Sequence, residues 1–200
     1  MAGRTRHAVG PALAAALGLW AALLAGCGGG VTMLRTDDPR LPVEARRWVA
    51  DAEDGVLVAR AMRDRSAGRL EATIERSHEL GEEADELAQA GAGDAAEHLR
   101  QVAEARVALA RDELRLAETE VAMAEARRAQ INAQTAVRHD LAVYELEPLE
   151  RATEAALAET RRQRAHLDQQ RADLAQLTSA WWESYARFTA QSGQRNLLWQ

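Results

Sequence analysis

The strongest constraint on the fold is a stretch from residue 43 to residue 147 that contains no proline. Within it, apolar and small residues recur at alternating three- and four-residue steps, as in a helix that buries one face. Ala, Glu, Arg, Leu and Gln dominate the composition, and no run alternates Val, Ile or Thr as a half-buried strand would. This pattern predicts an all-α fold built from long helices or coiled coils.

The first helix is predicted over residues 43–90, directly after Pro42, which suits the first turn of a helix. Its seam is weak because polar residues interrupt it, and glycine is unfavourable in a helix interior. A bend or break near Gly68 is therefore expected. The seam comprises Val49, Ala52, Val56, Ala59, Arg63, Ser66, Leu70, Thr73, Ser77, Leu80, Ala84 and Leu87.

The clearest turn in the chain is the sequence AGAGD at residues 90–94. Gly91 can end the first helix in a left-handed conformation, and Asp94 with Glu97 can form a capping box for the next. The second helix, predicted over about 94–145, has two apolar stripes and should therefore pack against two neighbours. One stripe is Val107, Ala110, Leu114, Ala117, Val121, Ala124, Arg128 and Ile131; the other is Leu109, Leu116, Met123 and Val137.

Pro148 marks either a tight connection or a kink, because proline cannot continue the hydrogen bonding of a helix. A third helix is predicted over 149–192. The favoured fold is an elongated antiparallel three-helix bundle or coiled coil. The alternatives are a long helical hairpin with a kinked arm and a dimer assembled from such hairpins. The seam of the third helix runs through Leu157, Leu167, Leu174, Trp181, Tyr185 and Phe188, with Arg164 and Arg171 on the same face.

The N-terminus has the layout of a secretory signal peptide: a basic head with Arg4 and Arg6, then an apolar stretch from Ala12 almost to Cys27. The stretch is shorter than the roughly 20 residues of a membrane-spanning helix. Leu24-Ala25-Gly26-Cys27 resembles the lipobox of bacterial lipoproteins. An uncleaved signal anchor with a passive cysteine is the alternative interpretation.

The lipoprotein resemblance implies that the Cys27 thiol receives diacylglycerol, that the chain is cut before Cys27, and that further acylation, for example by palmitate, follows. It implies no other cofactor. Gly28 occupies the position where an Asp tends to retain Gram-negative lipoproteins at the inner membrane. We therefore expect an outer-membrane protein facing the periplasm. Because Gln200, not lysine, ends the chain, no Braun-type covalent link to peptidoglycan is expected.

These features divide the chain into a signal peptide at 1–26, a lipidated tether at 27–42, a helical coiled-coil domain at 43–192 and a C-terminal tail at 193–200. A kink at Pro148 would aim the third helix back at the bilayer, although it has no apolar run to enter it. A turn that sends this helix outward is therefore favoured.

Composition and motifs argue against several classes of function. Loss of residues 1–26 removes two arginines, leaving 23 basic and 31 acidic residues and a formal charge of −8 instead of −6. An acidic, lysine-free chain is a poor candidate for nucleic-acid binding. No nucleophile elbow, phosphate loop, zinc-protease motif or dinucleotide fingerprint is present, so no enzyme and no catalytic residue are predicted. No metal site is predicted, because His78, His98, His139 and His166 lack ligand spacing.

Most of the aromatic residues lie in the last twenty positions. Trp181, Tyr185 and Phe188 share one helical face and should close the end of the bundle, beside Leu87 and Leu99. Trp182 and Trp199 do not fit that face and could form a docking patch, because exposed Trp and Tyr commonly anchor interfaces. The candidate docking residues are Trp181, Trp182, Tyr185, Phe188 and Trp199.

The sequence therefore predicts a non-enzymatic, lipid-anchored envelope protein that acts as a helical spacer or interaction module. Its expected partners are the lipid bilayer, through Cys27, and other envelope proteins or a second copy of itself. Two alternatives remain open: an accessory subunit of an envelope export or efflux machine, and a carrier that holds an apolar ligand between its helices. A carrier should have a sizeable cavity lined by Leu and Met, whereas a spacer should be packed solid.

Overall fold

The structure, a computed structural model, describes residues 33–193. Its helices are α1 (Val43–Gln89), α2 (Gly93–Arg138) and α3 (Glu147–Ser192), and residues 33–193 contain no strand. The all-α prediction is confirmed. The predicted signal peptide, Cys27 and Trp199 lie outside the described residues.

Helix α2 is the central element, because both α1 and α3 pack against it. Arg60 pairs with Glu125 at 2.7 Å and Arg100 pairs with Asp85 at 2.6 Å, so α1 and α2 are antiparallel. No Cα atom of α1 lies within 8 Å of one in α3. The predicted three-helix bundle is confirmed, as is the prediction that the second helix has two neighbours.

Helix α3 runs back along α2 instead of projecting from it. Gln134 bonds Glu150 at 3.3 Å near one end of the pair, and His98 contacts Ser184 at 3.1 Å near the other. The alternative of a kinked arm is therefore wrong. Pro148 lies in the first turn of α3, where its missing N–H has no helical partner to lose.

The connection between α1 and α2 is a Schellman motif around Gly91. Gly91 has φ +88°, Ala92 N–H donates to Leu87 O at 2.8 Å and Gly91 N–H donates to Ala88 O at 3.1 Å. The predicted left-handed role of Gly91 is confirmed. The predicted capping box is wrong: the N-cap of α2 is Ala92 and makes no side-chain cap, because this tight turn starts the helix before Asp94.

Helix α2 ends at Arg138, seven residues before the predicted end at 145. The cause is a second Schellman motif, in which Asp140 adopts φ +54° and Leu141 N–H donates to Ala136 O at 2.9 Å. Leu141 then packs against Ala136 and stabilises the turn. The left-handed position is occupied by an Asp, which signals a helix end less clearly than a glycine does.

The predicted seam of α1 is confirmed, because each of its residues is buried or half-buried. The break considered near Gly68 does not occur, because α1 is one continuous helix from Val43 to Gln89. In α3 the predicted position of Leu157 is wrong: it is 38% exposed, and the neighbouring Ala156 is buried instead. Thr160 is also buried in this part of the seam, because its hydroxyl donates to the Ala156 carbonyl at 2.9 Å.

The segment expected to be the second half of the tether packs onto the helices. Leu34 and Leu41 are 7% and 2% exposed and join a cluster with Ala45, Val49 and Ala136. This finding corrects the predicted boundary at residue 42, since the folded unit includes residues before α1. The cause is that both leucines bury apolar surface against the start of α1 and the end of α2.

One charged pair supports this segment. The guanidinium and the backbone N–H of Arg40 both donate to the Asp38 carboxylate, at 2.7 Å and 2.9 Å. These hydrogen bonds lower the pKa of Asp38 to about 2. Asp38 and Arg40 lie in the turn that precedes Leu41 and the start of α1.

Candidate functional site

The predicted aromatic site lies where α3 passes the turn between α1 and α2; we call this region the distal end. Tyr185 is 8% exposed and belongs to a core cluster with residues on both sides of the turn. Trp181 and Phe188 are half-buried and pack against the same cluster, which contains Leu87 and Leu99 as predicted. The expectation that these three rings close the bundle is confirmed.

Trp182 occupies a different position, because it remains 48% exposed. Its ring centroid lies 4.3 Å from that of Trp181, and it meets the Tyr185 ring edge-on at 6.3 Å. The buried ring of Tyr185 and the half-buried ring of Trp181 therefore hold the exposed indole in place. A large, rigid apolar group presented in this way suits a docking surface, whereas Trp199 lies outside the described residues.

A polar contact between His98 of α2 and Ser184 of α3 lies beside these rings. Ser184 donates its hydroxyl hydrogen to the Trp181 carbonyl at 2.8 Å, and its oxygen lies 3.1 Å from His98 Nδ1. Among the described residues, the buried Trp181 Nε1 and Tyr185 hydroxyl have no hydrogen-bond partner.

The surroundings of the distal end are acidic. Residues 78–101 contain seven carboxylates and one arginine, Arg100, which pairs with Asp85 at 2.6 Å. Glu83 is reached by Arg76 at 3.0 Å. The exposed indole of Trp182 therefore belongs to an end of the molecule with excess negative charge, which favours a partner surface with cationic groups beside an apolar recess.

A second feature, which sequence reasoning missed, is a buried amide where the N-terminal segment joins the helices. Asn132 is fully buried; its Oδ1 accepts from Leu34 N–H at 2.9 Å and its Nδ2 donates to the Arg128 carbonyl at 2.9 Å. It fixes the chain at Leu34 to α2. Neither predicted stripe of α2 includes Asn132, so the sequence pattern did not single it out, although a buried amide needs such partners.

Three grooves lie on the surface of the helices. The largest, of about 480 Å³, is lined by Trp48 and by charged residues of α1 and α2. A second, of about 320 Å³, also contains several arginines. The third, of about 370 Å³, is more apolar, with Val58, Met62 and Met123 in its walls. All three are open, whereas the carrier hypothesis expected an internal cavity.

The histidines of residues 33–193 are dispersed along the helical part of the chain. Across residues 33–193 no group of three or more His, Cys, Asp or Glu side chains is arranged to hold a metal ion. His166 lies 3.5 Å from the Asp112 carboxylate as an isolated pair on the surface. Between residues 33 and 193, no helix combines the length and the apolar character needed to cross a membrane.

Comparison of the chain with protein-family models, curated proteins and solved structures found no match. The function is therefore inferred from the N-terminal sequence and from the surfaces described above.

Proposed function

We propose that this chain is a non-enzymatic lipoprotein of the bacterial cell envelope, anchored through Cys27 and serving as a helical spacer or interaction module. The observation that carries the proposal is the sequence Leu24-Ala25-Gly26-Cys27 after a basic and apolar N-terminus. Diacylglycerol and further acyl chains on Cys27 would supply the membrane affinity, since two or more chains hold a protein firmly.

The attachment of the folded unit supports this proposal. Only six residues, 28–33, separate Cys27 from Leu34, the residue bound by the buried amide of Asn132. An anchor at Cys27 would therefore be coupled to the helices through a short connection. The distal aromatic residues would lie at the opposite end of α1 from this connection.

The interaction role is supported by Trp182, which is exposed although two other rings hold it in place. A spacer needs no exposed indole at its far end, whereas a docking module does. The same observation favours the second candidate function, an accessory subunit of an envelope export or efflux machine. In that case the partner would be a component of the machine carrying cationic groups around an apolar recess.

The anchoring proposal is tested by metabolic labelling with an alkyne analogue of palmitate. Wild-type protein should incorporate the label, and Cys27→Ser should lose it and accumulate as precursor with residues 1–26 attached. Gly28→Ser is the matched control, since it keeps the cysteine and should be labelled and cleaved normally. Equal labelling of wild type and Cys27→Ser would refute lipid attachment at this residue.

The location is tested by separating inner and outer membranes. Wild-type protein should enter the outer-membrane fraction, and Gly28→Asp should shift it toward the inner membrane. Gly28→Ser should behave as wild type. Recovery of all three proteins in the inner membrane would contradict the proposed outer-membrane location and leave lipid attachment to the labelling experiment.

A further inference from the structure

Helix α1 has a second stripe on the side opposite its buried seam. It follows the same alternating three- and four-residue spacing, and every member is exposed. Three large apolar residues lie on or beside its centre: Leu57 is 62%, Val58 63% and Met62 40% exposed. The stripe comprises Arg47, Asp51, Asp54, Val58, Ala61, Arg65, Gly68 and Ala72.

No described element covers this face. No Cα atom of α3 lies within 8 Å of one in α1, and the open groove of about 370 Å³ beside the stripe, between α1 and α2, is reached from α3 only by the Arg164 side chain among the residues that line it. Val58 and Met62 form one wall of the groove, and Met123 and Ile131 lie on the other. The apolar surface is thus continuous from the outer face of α1 into the groove.

The spacing of the stripe reads the same in both directions about a point between Ala59 and Arg60. If a second α1 runs antiparallel across this face with its centre between Ala59 and Arg60, each stripe residue meets another member of the stripe. Val58 then faces Ala61 of the other copy, and Asp54 faces Arg65. Such isologous pairing is what a two-fold dimer requires, and the seam spacing is that of an antiparallel coiled coil.

The charges support this register. Asp54 and Arg65 are exposed, and neither has an ion-pair partner among residues 33–193. Arg65 reaches only the Met62 sulfur, at 3.8 Å. Antiparallel pairing would give both groups an opposite charge, once on each side of the two-fold axis.

Two glycines point to the same face. Gly55 lies in the groove and Gly68 on the stripe, yet in each case a Cβ atom would meet no atom within 4 Å. Glycine in a helix interior is unfavourable, and no contact within the described chain requires it. Close approach of another helix would account for both positions.

We propose that the outer face of α1 is a self-association surface, on which the α1 helix of a second copy packs antiparallel with Asp54 opposite Arg65. This inference specifies a partner for the interaction role. It does not rest on lipid attachment, because its residues lie within α1.

The test uses two differently tagged copies of the full-length chain, co-expressed and solubilised in mild detergent. Wild-type copies should co-purify. Asp54→Arg in both copies, or Arg65→Asp in both, should reduce co-purification by at least about tenfold, because like charges then meet across the axis. Glu154→Arg, an exposed substitution on α3, is the matched control and should have no effect.

The decisive arm combines one copy carrying Asp54→Arg with another carrying Arg65→Asp. Opposite charges then face each other in both pairs, one pair with its charges exchanged and the other as in wild type, and co-purification should return to within about threefold of wild type. Misfolding of either variant cannot produce this recovery. Absence of wild-type association, insensitivity to both single reversals, or failure of the mixed pair would overturn the proposal. The wild-type arm is repeated with Cys27→Ser in both copies. Co-purification of these copies measures self-association independently of lipid attachment, so the two proposals can fail separately.

Discussion

The two interfaces of α2 differ in chemistry although they use the same helix. Between α1 and α2 the large buried residues are aliphatic, including Leu80, Leu87 and Val49. Between α2 and α3 the middle of the contact is polar, with Arg164 bound to Glu120 and Arg171 bound to Glu113. The comparison indicates that the hairpin of α1 and α2 is the stable part, whereas α3 depends on its aromatic end.

The polar interface fixes register more than it contributes stability. Exposed ion pairs contribute little to the free energy of unfolding, about 0–1 kcal/mol each. Their spacing still holds α3 in one antiparallel register, since Arg164 and Arg171 each have a carboxylate opposite them on α2. Leu167, 2% exposed, is the one large aliphatic residue that α3 buries fully among those described.

The largest effect is expected in the aliphatic interface. Leu99→Ala should lower the free energy of unfolding by about 2–5 kcal/mol, because Leu99 is 2% exposed and its removal leaves a cavity. Leu157→Ala, the same change at a 38% exposed position on α3, should cost less than about 1 kcal/mol. Denaturant unfolding of both variants measures the difference, and equal losses would contradict the assignment of the core.

A smaller effect is expected at the aromatic end of α3. Trp181→Ala should cost roughly 1.5–3 kcal/mol, because the ring packs against the distal cluster. Trp182→Ala should cost less than about 1.5 kcal/mol, the upper range of one aromatic pair, because its ring is about half exposed. Trp182→Ala should nevertheless weaken the binding of a partner protein.

The two tryptophan variants are compared by Tm and by cross-linking in membranes. Early melting of Trp181→Ala with normal cross-linking, beside reduced cross-linking of Trp182→Ala, is the expected pattern. If both variants melt early and neither changes the cross-linked products, the exposed indole belongs to the core and the docking role is wrong.

The smallest effect is expected for the ion pairs of α3. A double-mutant cycle with Arg171→Gln and Glu113→Gln should give a coupling energy below about 1 kcal/mol, and this coupling should shrink in 1 M salt. The corresponding cycle for Arg60 and Glu125, which joins α1 to α2, should give a similar value. A coupling well above this range at Arg171 would show that polar contacts stabilise α3 after all.

Sequence reasoning succeeded where spacing alone determines structure. The seam of α1, the two stripes of α2 and the left-handed Gly91 all follow from local patterns that long helices repeat many times. It failed at the end of α2, where Asp140 adopts a conformation usually taken by glycine. The gain from packing Leu141 against Ala136 is tertiary and cannot be read from the local sequence.

The candidate sites were predictable to different degrees. The difference in burial between Trp181 and Trp182 followed from helical geometry, because successive residues of a helix point about 100° apart. The role of Asn132 was missed because its partner Leu34 lies 98 residues away in the chain. The outer stripe of α1 is hard to recognise in the sequence, because all its residues except Val58 are charged or small. Leu57 and Val58, both off the buried seam of α1, were the signal.

Hydrogen exchange of the full-length chain, read by mass spectrometry, tests the unequal stability of the two interfaces most directly. Backbone amides in α3 between Thr153 and Leu174 should exchange faster than amides of residues 45–56 and 80–87 of α1. Those two stretches bury an apolar residue at each turn, whereas the α3 segment buries Leu167 as its one large apolar residue. Amides near Tyr185 should exchange more slowly than the rest of α3. Uniform protection of the three helices, or faster exchange in both stretches of α1 than in this segment of α3, would contradict the account.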